Sequence, residues 1–134
     1  MISYLVDTSI WVDFFRGKSG VIKNRVLDLV ANNRVYYNGI VITELLAGAK
    51  SQKQFDFIID NFSGLNYLEM GKDFFIYSSK IIYQLKRSGL TLPMSDVFIA
   101  AHAKQNNLIV FSKDKHFELT GRKVGFQYEV IKNF

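Results

Sequence analysis

The ten residues from Tyr4 to Asp13 constrain this chain more than any other stretch. They read Tyr-Leu-Val-Asp-Thr-Ser-Ile-Trp-Val-Asp. Tyr4-Leu5-Val6 is a short apolar run of the kind that forms a buried central strand. It meets a carboxylate, Asp7, at once. Thr8 and Ser9 then supply side chains suited to starting a helix, and Ile10, Trp11 and Val12 continue it. In a parallel sheet the carboxyl ends of the strands open into the ligand crevice. Asp7 is therefore expected at the mouth of that crevice, beside a helix start.

The remaining chain alternates strand and helix signals. A short helix is expected from Ser9 to Arg16, stopped at Gly17. A second follows over Gly20 to Asn33, with Ile22, Val26, Leu29 and Val30 at helical spacing. Arg34 to Asn38 reads as a strand that Gly39 breaks. Ile40 to Ala49 opens a helix carrying Glu44, and Ser51 to Phe62 is amphipathic. Leu65 to Glu69 is a third strand. Lys72 to Ser88 is the longest helical stretch, with Phe74, Tyr77, Ile81 and Leu85 on its core face and Gly89 as its stop. Pro93 keeps Leu90 to Leu92 extended. A helix rich in small residues runs from Met94 and closes at Asn106-Asn107. Leu108 to Phe111 is a buried strand, and the tail from Gly121 adds a last strand at Tyr128 to Ile131. This alternation predicts an α/β layered domain with a mainly parallel sheet, spanning residues 1–134 as one unit.

Composition narrows the function classes. Hydrophobic residues make up 49 % of the 134, including 12 Phe and 7 Tyr, which excludes a disordered chain. The absence of cysteine rules out disulfides and thiolate metal sites. No run approaches the roughly 18–20 apolar residues of a membrane span. The N-terminal run is too short for a signal peptide, so a cytoplasmic protein without a membrane partner is expected. Seventeen Lys and Arg against twelve Asp and Glu leave a net charge of +5, which favours a polyanionic partner, nucleic acid first.

Four acids stand in unusually apolar surroundings. Asp7 ends strand one. Glu44 lies in Val-Ile-Thr-Glu-Leu-Leu. Asp96 opens the small-residue helix, and Asp114 follows the strand ending at Phe111. Two lie past strand ends and two near helix starts, so all four are expected to converge on one end of the sheet. Like charges raise one another's pKa, and burying four together demands compensation. A hard divalent cation, Mg²⁺ or Mn²⁺, is the simplest source, because it takes oxygen ligands and substrate phosphates. Such a centre activates water and stabilises the leaving oxygen in phosphodiester cleavage. A basic surface around an acidic cleft suits a nuclease. Each acid also has a plainer explanation: Asp7 and Asp96 as helix caps, Asp114 as a turn residue, Glu44 as an exposed helical residue. Thr8, Ser9 and Ser112 are candidates to hydrogen-bond Asp7 and Asp114 from behind. Arg16, Lys18, Lys113 and Lys115 flank the mouth as candidate RNA phosphate contacts. Asp13 reads first as a solvated helix position, with a place near the cleft rim as the alternative; His102 reads as core or surface; His116 reads first as a surface-loop residue, with an approach to the cleft as the alternative.

The ordered set of motifs resembles the PIN-domain nucleases, and within them the VapC-type toxins of bacterial and archaeal toxin–antitoxin pairs. The set comprises Leu5-Val6-Asp7-Thr8-Ser9 with Trp11 and Asp13, Thr43-Glu44-Leu45 with Gly48, and Leu92-Pro93 through Asp96 to Ile99-Ala100-Ala101. It ends with Val110-Phe111-Ser112-Lys113-Asp114 and Phe117. The resemblance implies a three-layer α/β/α sandwich and Mg²⁺- or Mn²⁺-dependent cleavage of RNA. It implies a homodimer inhibited by a cognate antitoxin protein. It makes Asp7, Glu44, Asp96 and Asp114 the metal-binding acids, with Ser112 in a supporting position. One departure stands out: many relatives carry a further acid where this chain has Lys115 or His116. One-ion and two-ion centres both remain compatible. A housekeeping nuclease on the same fold is the alternative. A phospho-receiver domain would need an acid pair after strand one, where only Asp7 stands.

Overall fold

The computed structural model describes residues 2–17 and 19–132. The chain runs β1 (Tyr4–Val6), α1 (Thr8–Arg16), α2 (Gly20–Ala31), β2 (Val35–Asn38), α3 (Gly39–Ala47), α4 (Gln52–Phe62), β3 (Asn66–Leu68), α5 (Lys72–Arg87), α6 (Met94–Asn106), β4 (Ile109–Ser112), α7 (His116–Val124) and β5 (Tyr128–Val130). The strands form one sheet in the order β3-β2-β1-β4-β5, and every neighbouring pair is parallel. The sheet is thus wholly, not mainly, parallel among the described residues.

This order has a direct consequence. From β1 the chain moves outward through β2 to β3, then returns to β4 on the other side of β1 and continues to β5. The right-handed crossover rule then puts α1 to α4 on one face and α5 to α7 on the other. The contacts agree: α1 packs on α2 and α3, and α3 on α4, whereas α6 packs on α5 and α7. The result is the three-layer sandwich. Between β1 and β4 the direction of winding reverses, and the crevice at such a switch point is where open α/β sheets bind ligands.

The core follows from the layers. Leu5, Val6, Val35, Val110 and Phe111 of the sheet are buried with Ile10, Trp11, Ile22, Val26, Val41 and Phe62 of α1 to α4. Each fully buried side chain of this size contributes about 1.5–3 kcal/mol. Trp11 fixes α1 in place: its ring lies 4.7 Å from Phe62, 5.5 Å from Phe14 and 5.9 Å from Phe15, centroid to centroid. A second cluster, Phe74, Ile81, Leu85, Val97, Ala101 and Val124, joins α5, α6 and α7. His102 belongs to this packing, as a core residue. Its ring stacks on Phe74 at 3.9 Å, and its two nitrogens bond Asn38 Nδ2 at 3.0 Å and the Glu69 carbonyl at 3.1 Å. An amide NH₂ can only donate, so Nδ1 accepts and Nε2 carries the proton: the ring is neutral.

Helix α7 departs from expectation. Gly121 reads as the start of the tail that carries the last strand, yet it lies inside a regular helix capped by Gly125, in the left-handed region at φ +91°. Gly121 serves packing instead. A Cβ there would collide with the ring of Tyr128, so only glycine lets α7 approach β5 this closely.

Two outcomes test this packing. Gly121→Ala should destabilise the protein by about 1–3 kcal/mol in urea denaturation, as overpacking does. Burial lowers the His102 pKa, against a smaller opposing effect of the Glu69 carbonyl. As pH falls through the unfolded value of about 6.5 the unfolded chain takes up a proton that folded His102 refuses, so stability is lost. The unfolding free-energy gap between the wild type and His102→Asn should therefore shrink between pH 7.5 and pH 5.5.

Candidate active site at the carboxyl ends of the central strands

The β1–β4 register builds the first half of the site. Val6 stands opposite Phe111, and the Asp7 amide donates to the Phe111 carbonyl at 2.9 Å. The next pair along is Asp7 and Ser112. The Ser112 hydroxyl donates to Asp7 Oδ2 at 2.8 Å, and the Ser9 hydroxyl reaches the same oxygen at 2.8 Å. Both bonds fall on one oxygen, which sets the rotation of the carboxylate. Asp7 is also the N-cap of α1, accepting from the Ser9 amide at 3.4 Å. Capping and site placement are therefore one arrangement, not alternatives.

Ser112 works in two directions. Its Oγ accepts from the Asp114 amide at 2.9 Å while its hydroxyl serves Asp7. The strand end thus turns straight into the loop that presents Asp114. Asp114 Oδ1 accepts from the His116 amide at 2.9 Å and lies 3.2 Å from His116 Nδ1. The turn role expected as the plain alternative is present alongside.

Glu44 and Asp96 approach from opposite faces, on α3 and α6, which meet over the strand ends. Glu44 is exposed, and Thr8 Oγ1 donates to its Oε1 at 2.9 Å. Thr8 therefore steadies Glu44, whereas the sequence pattern suggested Asp7 or Asp114 as its partner. Asp96 is half-buried in the first turn of α6, which starts at Met94 with Pro93 as its cap. Its side chain makes no cap bond, so the capping explanation fails for Asp96. Burial first, then the charges of Asp114, Asp7 and Glu44, push its carboxyl from 3.8 up to about 6, against a smaller downward pull from His116. Asp114, Asp7 and Glu44 thus all act electrostatically on Asp96. Donor atoms of Asp96, Asp114 and His116 lie within 4.8 Å of each other.

His116 is the residue the sequence pattern undervalued. It is exposed, as a surface residue should be, but it sits on the first turn of α7 instead of in a loop. The only signal was its place two residues after Asp114. Asp13 is a clear correction. It is buried at 7 % exposure, not solvated, and Lys113 Nζ meets its Oδ2 at 2.8 Å. The Lys113 amine is thus directed into the protein. Arg16 and Lys115 are exposed, and Lys18 lies outside the described residues. Arg16 also lines a groove of about 250 Å³ that leads away from Glu44 between α1, α3 and α4, over Val12, Phe15 and Leu45 and past Lys50.

Residues 4–123 match the family model of the PIN domain. The chain belongs to the PIN-domain family. Ribonuclease VapC1 of Methanocaldococcus jannaschii is 30 % identical over 116 residues, covering 85 % of this chain and 78 % of that protein. Among solved structures, the DNA-bound VapBC of Salmonella typhimurium contains a chain that superposes with a TM-score of 0.80 at 26 % identity, covering 97 % of this PIN domain and 98 % of that chain. VapBC2 of Rickettsia felis, bound to a fragment of its promoter, also gives a TM-score of 0.80, at 23 % identity over 98 % of this chain and 100 % of the other; that likeness concerns the fold.

A carboxylate held above its ordinary range opposes folding once pH exceeds its folded pKa, and the penalty vanishes below the unfolded value. Asp96→Asn should therefore raise the stability of this PIN domain at pH 8 in EDTA. The gain should be about 1–2 kcal/mol, allowing for the solvent that reaches the half-buried group. It should disappear at pH 3. Urea titrations at the two pH values decide it.

Proposed function

We propose that this PIN domain is a divalent-metal-dependent endoribonuclease, the toxin of a VapBC-type pair, that hydrolyses phosphodiester bonds of RNA in the four-acid pocket. The observation that carries the reading is the electrostatic one: Asp96 is pushed up to about 6 with Asp114, Asp7 and Glu44 acting on it together. Four acids gathered at a switch point are a poor structural device and a good cation site. The ribonuclease names of the relatives and the antitoxin-paired structures support the same reading. The donor set fits the group. It is mainly carboxylate oxygen, without any thiolate, which suits Mg²⁺ or Mn²⁺.

Asp7, Glu44, Asp96 and Asp114 would hold the ion or ions, with His116 as a nitrogen donor in reach. When bound, such an ion supplies charge neutralisation, polarisation of the scissile phosphate and a more acidic bound water. The protein's own part is positional. Ser112 and Ser9 orient Asp7, the Ser112 Oγ anchors the Asp114 amide, and Thr8 steadies Glu44. Arg16 and Lys115, exposed at the rim, meet RNA phosphates. The groove past Glu44, with an apolar floor and cations at Arg16 and Lys50, suits the tail of a cognate antitoxin. A homodimer in the cytoplasm completes the proposal. Among the described residues no helix is long and apolar enough to cross a membrane.

Cleavage of RNA should require Mn²⁺ or Mg²⁺ and stop in EDTA. Asp7→Asn and Asp96→Asn should fall to background while keeping the wild-type circular dichroism spectrum; full activity in both would remove the proposal. Ser112→Ala, which loosens two acids without removing either, should lose about 10–100-fold. Expression should arrest growth, and the product of a neighbouring gene should relieve it.

A further inference from the structure

Asp13 and Lys113 are one hundred residues apart in sequence, and nothing in the chemistry of the four-acid pocket uses either. Yet the pair is built with care. Asp13 lies one helical turn beyond Ser9 on α1, so the two side chains share a face. That face grips Lys113 twice. The Ser9 hydroxyl oxygen accepts the Lys113 backbone amide at 3.0 Å, and Asp13 Oδ2 takes its Nζ at 2.8 Å. The Asp13 side chain is 8 % exposed and that of Lys113 28 %. Among the described residues the second Asp13 oxygen, Oδ1, is buried without a hydrogen-bond partner. The carboxylate therefore depends on Lys113 for its compensation, and removing either charge leaves the other poorly solvated. Lys113 sits between Ser112 and Asp114, the residues whose bonds orient Asp7 and present the last acid.

We propose that Asp13 and Lys113 are positioning residues: a buried ionic tether that holds the strand-to-loop turn of residues 112–114 against α1 and so sets where the Asp114 carboxylate stands. Its relevance to catalysis rests on the proposed metal-dependent activity; the tether itself does not. A phosphate-contacting Lys113 predicts something different, a weaker grip on RNA with an unaltered loop.

The test uses the full chain free of metal, with Asp13→Asn, Lys113→Met, the double variant and Lys113→Arg. Amide hydrogen exchange is read at Lys113 and Asp114 against Val110 in the neighbouring strand. Asp13→Asn and Lys113→Met should each lose at least tenfold protection at residues 113 and 114 relative to Val110. The double variant should be no worse than either single one, and Lys113→Arg should retain protection. Mn²⁺ affinity, measured by calorimetry, should weaken about tenfold in the same variants, with KM for an RNA oligonucleotide unchanged. Unchanged exchange at 113 and 114 in Asp13→Asn, which takes the Asp13 charge away from the partly exposed Lys113 amine and should fold even where Lys113→Met does not, overturns the tether. So does a raised KM with unaltered exchange. A wild-type protein that binds no Mn²⁺ overturns the metal reading alone, and the exchange data still decide the tether.

Discussion

Everything at the site depends on the parallel pairing of β1 with β4. These two strands are remote in sequence, and their register leaves Asp7 and Ser112 side by side where both strands end. One serine then does two jobs, holding the Asp7 carboxylate and accepting the Asp114 amide. A slip of one residue would turn Ser112 to the other face of the sheet and part the two acids. The dense apolar packing of Leu5, Val6, Val110 and Phe111 makes such a slip costly. The core is thus what gives the site its precision.

Around that join the molecule sets two opposing electrostatic demands. The chain as a whole is basic, at net charge +5, while its crevice gathers four acids. The first draws a polyanion toward the protein. The second repels the same polyanion unless positive charge intervenes. A pocket that raises its own carboxyl pKa is under tension in the absence of a cation, and folding free energy is spent to keep it assembled. That trade is common where activity requires like charges to be close. The helix α1 serves both sides of it. Asp7, Ser9 and Asp13 act toward the end of β4, and Thr8 and Val12 toward α3.

Much of this was legible in the order of residues. The four acids could be picked out because each interrupts an apolar pattern, and the strand–helix alternation announced the parallel sheet. The serine and threonine candidates were found by adjacency to acids, although Thr8 turned out to serve Glu44. Asp13 and α7 were misjudged because each is decided by a partner outside its own element, Lys113 for Asp13 and the ring of Tyr128 on the next strand for Gly121. A charged residue on an amphipathic helix reads as solvated until a lysine one hundred positions later arrives to bury it. A glycine reads as the start of the tail until an aromatic ring on the next strand occupies the space where its side chain would be.

What the sequence determined by itself was local: the short strands, the stops of most helices, and which acids lie at element ends. Those features arise from hydrophobic period and backbone preference within a few residues, so they can be read along the chain. Tertiary structure alone decided which strand lies beside β1, which hydroxyl meets which carboxylate, and that Asp13 is buried. These depend on sheet order and helix crossing. Both are set by the global exchange of apolar surface for packed core, and no window of neighbouring residues contains that information.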